Sequence, residues 1–237
     1  MTTRRAAYEA RQRRRASLLA GGSTAVVLVL LILLVPLAPG WDGVQASFFN
    51  AEIFARTFPD LANAFLINIA IFAWSVPLIA ALGLAIALAR GARAPVLFPL
   101  RIFGAIYVDL FRGIPVVLRV YLVGFGIPGR GLPRPWNSPY IWGTVALVLT
   151  YSAYVAEVLR SGIESIHESQ RNAAVCLGLS ERDTMRYVVL PQAIRRVVPA
   201  NMNMLVALQK DVALLSFIGP VEILRQAVIF KSLLANF

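Results

Sequence analysis

Residues 161–191 read SGIESIHESQRNAAVCLGLSERDTMRYVVLP, a polar stretch set between apolar blocks. Its residues pattern as two short helices. Ile163, Ile166, Ala173, Ala174 and Leu177 fall near helical spacing, and Gly178 suits the left-handed position that ends a helix. Ser180 with Asp183 three residues on makes an N-terminal capping pattern for a second helix. Met185, Val188 and Val189 give that helix an i, i+3, i+4 face, and Pro191 marks where it should stop or bend. Two helices around a Leu177–Ser180 turn also describe a DNA-binding helix-turn-helix. Three features weigh against that reading: tethering by apolar blocks at both ends, a formal charge of only +2 from Arg160 to Arg196, and no visible dimerisation element. A plain amphipathic connector remains the alternative on these residues alone.

Outward from this stretch the chain is apolar. Of 237 residues 58% are apolar and 15% charged, with a mean hydropathy of +0.70, which is far from a soluble domain. The apolar residues fall in blocks of about 20, enough to cross a hydrocarbon core as helix. About five spans are expected in an all-α integral membrane protein. The basic residues 1–17 precede a first span over 18–37, too long for a signal-peptide core and read as retained. A second span covers Leu61 to Ala89, kinked or broken near Pro77, and ends in the basic loop Arg90–Arg93. Residues 96–112, with the costly Asp109 and Arg112, are placed at the membrane interface, and the third span runs from Gly113 to Ile127. After a turn-rich loop over Pro128–Pro139, the fourth span covers Tyr140–Leu159 and the fifth Val197–Ile218. Residues 61–237 thus form the core, with the loop 160–196 inside it.

Charge fixes an orientation. With the N-terminus inside, the inner segments hold sixteen basic residues and the outer ones Arg56, Arg130, Arg134, Arg225 and Lys231, so the positive-inside rule accounts for most of the net +11. Nucleic acid is not needed to explain it. By this topology Phe237 lies outside. One Cys (Cys176) and one His (His167) exclude a disulfide framework and a multi-ligand Cys/His metal site within the chain.

The spacing Asn172-Ala173-Ala174, Gly178, Val188-Val189-Leu190-Pro191 resembles the E-A-A...G...I-x-L-P signature of the membrane subunits of bacterial ABC importers. Leu110–Pro115 resembles the L-F-R-G-T-P of the polar amino acid branch. Ala153–Glu157 with Arg160 and Gly162-Ile163 is similar to its A-Y-x-A-E...R-x-G-I, and Leu190–Ala193 and Leu208–Leu214 to L-P-Q-A and L-x-K-D-T-S-L. Departures are Asn172 for Glu, Ser169 for Gly, Ile114 for Thr, Arg119 for Gln, and Val212-Ala213 for Thr-Ser. The family also has one more membrane helix after the position of Glu222, whereas Ile223–Phe237 are too few for another crossing.

The resemblance implies a type I importer permease bundle in the bacterial cytoplasmic membrane. Two permease subunits, the same or paralogous, would form the path, cytoplasmic ATPase subunits would drive it with ATP and Mg, and an external solute-binding protein would deliver a polar amino acid. The chain itself would bind no cofactor and catalyse nothing; it carries no G-x-x-x-x-G-K-[ST] loop. Asn172, Ala173, Ala174, Gly178, Leu179, Ser180, Arg186 and Pro191 would make the ATPase-coupling element. The fifth span is unusually polar, and Asn203 and Lys210, seven residues apart on one stripe, either line a solute path or hold the bundle together. Arg119 meets a solute carboxylate, pairs with Asp211, or reaches for the interface. A structural or regulatory membrane subunit and a permease for another small solute are the alternatives; a secondary transporter is disfavoured by five spans without an inverted repeat.

Overall fold

The structure, a computed structural model, describes residues 2–92 and 94–234; Arg93 and Phe237 lie outside them. Every regular element among these residues is helical. The chain divides into two units, one up to Arg56 and one comprising Thr57–Ala235.

In the first unit, α1 (Thr2–Leu34) continues into a 3₁₀ turn at Val35–Leu37, and α2 covers Trp41–Phe48. α1 runs without a break from Thr2 to Leu34, so the basic segment and the apolar one share one helix. Val26 to Leu34 present large exposed apolar side chains, as a lipid-facing surface requires.

The second unit is built around α6 (Pro139–Glu164), which packs against α4 (Phe98–Gly113), α5 (Val116–Gly126) and α9 (Leu190–Asp211). Leu147 of α6, Val120 of α5, Leu208 of α9 and Val212 and Leu215 of the following 3₁₀ segment (Val212–Ile218) are fully buried together, with Ile71 and Ile79 of α3 (Ala51–Gly91). Close approach is made possible by small residues, as expected where lipid supplies no hydrophobic drive between helices. A Cβ at Gly162 would collide with Val197, and one at Gly83 would come within 2.7 Å of Val155.

Among the described residues three helical stretches are long and apolar enough to cross a membrane, Ala10–Leu37, Trp41–Gly91 and Pro139–Glu164, and two bent pairs bring the total to five if each is one span. Several boundaries differ from those read in the sequence. The second span is not broken at Pro77: α3 runs unbroken for 41 residues with Pro59 and Pro77 inside it. In lipid the neighbouring backbone and side chains tolerate such prolines. The third span is not a crossing by itself. Its helix α5 has 11 residues, about 16 Å, and meets the segment before it at 107°. The corner lies at Ile114, extended at φ −95° and ψ 137°, as the residue before Pro115 is biased to be. The fourth helix runs past Leu159 to Glu164. The last helix, α10 (Ile223–Leu234), has 12 residues, short of a crossing, and lies at 50° to the segment before it.

Candidate functional site

Residues 160–196 fold as a compact helical unit. His167 starts α7 (Glu168–Cys176): its Nδ1 accepts the Ser169 backbone N–H at 3.1 Å. The helix closes in a Schellman motif. Gly178 N–H donates to Val175 O at 2.9 Å and Leu179 N–H to Ala174 O at 3.1 Å, with Gly178 at φ +80°. Only a residue without a Cβ adopts that angle freely. Ser180 then opens the next helix, its Oγ accepting from Asp183 N–H at 3.1 Å and donating to Asp183 Oδ2 at 2.6 Å. Both local signals therefore form as read.

The second helix does not stop at Pro191. A turn of α-helix (Glu181–Asp183, α8) leads into a π-helical segment (Thr184–Val189) and directly into α9, so the chain stays helical from Glu181 to Ile218. Pro191 falls in the first turn of α9, where its missing N–H costs least, and the Gln192 side chain donates to Val188 O at 3.0 Å beside it. This segment is therefore continuous with α9.

Side chains seat the unit on its neighbours. Ile166, Val189 and Ala193 are buried together, flanked by Ile163 and Met185. Arg171 Nη2 donates to Ile163 O at 3.0 Å, and Arg196 Nη1 to Ser165 O at 2.6 Å. Of the coupling candidates, Ala174 is buried and Leu179 half-buried, while Asn172, Ala173, Gly178, Ser180, Arg186 and Pro191 are exposed. Val175, Leu177 and Tyr187 add large exposed apolar side chains. A shallow cleft of about 440 Å³ lies between α7 and the second helix, lined by Arg171, Val175, Glu181, Arg182, Thr184 and Met185.

The path candidates separate. Asn203 and Lys210 are exposed on α9, with Ala207 exposed between them. Arg119 is only 3% exposed, so it does not reach for the interface. It does not pair with Asp211 either, which instead accepts the Tyr151 hydroxyl at 2.7 Å. The Arg119 guanidinium lies 6.0 Å from the Tyr154 ring, and its Nε and Nη1 have no hydrogen-bond partner among the described residues.

One charged cluster had no role assigned from the sequence. Glu157 accepts Arg90 at 2.7 Å and Arg160 at 2.5 Å, with Arg112 at 3.9 Å, and Arg160 also pairs with Glu164. It ties α3, α4 and α6 together next to the helical unit of residues 160–196. The i, i+3 and i, i+4 spacing of Glu157, Arg160 and Glu164 was its only local signal.

This bundle and its helical loop define a class, the membrane components of binding-protein-dependent importers. The family model described as binding-protein-dependent transport system inner membrane component matches residues 53–233, and the chain belongs to that family. Among relatives, it is 36% identical over 157 residues to the "Probable amino-acid ABC transporter permease protein y4tG" of Sinorhizobium fredii, covering 66% of this chain and 65% of that one. It is 38% identical over 124 residues to the arginine transport system permease protein ArtQ of Bacillus subtilis, covering 51% and 54%. The chain thus spans between half and two thirds of the length of these curated relatives. A crystal structure described as an amino acid ABC transporter with histidines superposes with a TM-score of 0.70 at 30% identity, covering 77% of this chain and 82% of that one.

Proposed function

We propose that the chain is the permease subunit of an ATP-driven importer of polar amino acids, paired with a second permease subunit, cytoplasmic ATPase subunits and an external solute-binding protein. The observation that carries this reading is the coupling unit. It is closed at Gly178, fused to α9 without a break, and displays Asn172, Ala173 and Leu177 on its free surface. Packed helices move between discrete arrangements as rigid bodies, so a push on this unit is delivered to α9 and, across Gly162–Val197, to α6. The names of its relatives support amino acids as the solute class. ATP and Mg belong to the partner, the N-terminus and residues 160–196 face the cytoplasm, and the membrane is the bacterial cytoplasmic one. The test is co-purification with the ATPase partner, followed by a screen of amino acids for stimulated hydrolysis in the presence of the binding protein. Stimulation by another solute class, or none, overturns the reading.

A further inference from the structure

Arg119 is a buried cation with no ion pair among the described residues. It sits in the first turn of α5, 3% exposed, and among the described residues its side chain makes no ion pair and no hydrogen bond through Nε or Nη1. Its partner is the Tyr154 ring at 6.0 Å, which Arg112 also approaches, at 5.6 Å. An aromatic face attracts a cation without neutralising it. The nearby Tyr107 and Tyr151 hydroxyls are both engaged, Tyr107 with Ser152 Oγ and Leu149 O, and Tyr151 with Asp211. Asp211 keeps its charge while accepting that hydroxyl, and among the described residues it makes no ion pair with Arg119. A guanidinium stays ionised under any ordinary condition, and burying one without a counter-charge is costly.

We infer that Arg119 receives the carboxylate of the transported solute, a specificity-determining contact inside the permease; this rests on the reading of the chain as an amino acid permease. A site left short of one anion is poorly stable when empty and improves when a carboxylate arrives. Guanidinium and carboxylate are matched in shape and charge, so the contact discriminates against neutral and cationic solutes lacking one. The carboxylate comes from the α-carbon of any amino acid or from an acidic side chain, and the test separates these.

The full chain in lipid nanodiscs is unfolded thermally with L-glutamine, L-glutamate or L-glutaminamide, whose α-carboxyl is an amide. A rise in the midpoint with glutamine and glutamate but not glutaminamide assigns the α-carboxylate. A rise with glutamate alone assigns the side chain. In Arg119→Gln the empty protein should be as stable as wild type or more so, and the apparent affinity for the effective probe should fall at least tenfold, with Arg119→Lys between. Unchanged probe response in Arg119→Gln overturns the inference while leaving the permease reading intact. So does an empty Arg119→Gln that is less stable and is restored by Arg119→Lys, since that is the mark of a structural cation. Absence of a shift with either carboxylate probe also overturns it, and the hydrolysis screen above then decides whether the permease reading falls too.

Discussion

Asn68 and Glu222, 154 positions apart, lock together in the interior of the second unit: the Asn68 amide donates to Glu222 Oε2 at 3.1 Å while its Oδ1 accepts the Ile223 backbone N–H at 3.0 Å. Glu222 also accepts the Leu224 N–H at 3.0 Å and the Arg225 N–H at 2.8 Å. A fully buried carboxylate is thereby satisfied by the start of α10, where the helix dipole favours negative charge. Asn68→Leu keeps the volume but strips one donor from the carboxylate and orphans an N–H. It should cost about 2 kcal/mol, the usual loss for a hydrogen bond to a buried charged group. Reversible unfolding of the full chain in mixed SDS micelles measures it. An unchanged midpoint would mean that α10 is held by something else.

The Glu157 cluster makes a second energetic prediction. The side chain is 18% exposed and faces Arg90 at 2.7 Å with 14% exposure, so the pair is screened less than a surface ion pair. A double-mutant cycle of Arg90→Ala and Glu157→Ala should give a coupling of about 1–2 kcal/mol. A value near zero would show that Arg160 and Arg112 hold Glu157 without help from α3.

Gly178 separates backbone strain from docking. No atom lies within 4 Å of a Cβ placed there, so a substitution meets only the φ of +80° and whatever docks from outside. Gly178→Ala should cost about 1 kcal/mol through the backbone and retain coupling in part. Gly178→Asp, with a charge on the docking surface, should insert normally yet lose substrate-stimulated hydrolysis. Full stimulation in the Asp variant would remove the turn from the coupling contact.

Orientation is checked by the chain's own thiol. Cys176 is exposed on α7, so an impermeant maleimide should fail to reach it in intact cells and react after permeabilisation. With Cys176→Ser as background, Arg130→Cys should label from outside. The reverse pattern inverts the topology.

Local signals were legible and distant ones were not. Gly178, Ser180 and Asp183 act through backbone groups within three or four residues, so their spacing alone described the turn. Of the stop or bend read at Pro191 the stop is excluded, because a π segment, which nothing in the side-chain pattern announces, leads directly into α9. The Gly113–Ile127 block read as a span because apolar composition carries no bend angle; the Ile114-Pro115 pair was the available signal for the corner. Asn68 with Glu222 and Tyr151 with Asp211 join residues far apart in sequence, and a single polar residue in an apolar run does not name its partner.

Asn172 makes the sharpest test of the coupling surface. It sits mid-way along α7, exposed, so Asn172→Glu perturbs little inside the chain; Glu168 one turn earlier adds a like-charge penalty of about 0.3 kcal/mol. Any larger effect therefore reports on the proposed ATPase contact. A carboxylate in place of the amide would gain a charge-assisted hydrogen bond of about 1 kcal/mol, or roughly fivefold in affinity, if the partner still presented a cation or a free N–H. A partner adapted to the amide offers an acceptor as well as a donor, and the new charge would be desolvated with an oxygen facing it. Co-adaptation of the two subunits favours the second case, so Asn172→Glu should weaken ATPase-subunit binding about fivefold or more, while Asn172→Gln should weaken it less. Tighter binding of the Glu variant would show an unadapted partner, and equal affinity would place position 172 outside the contact altogether.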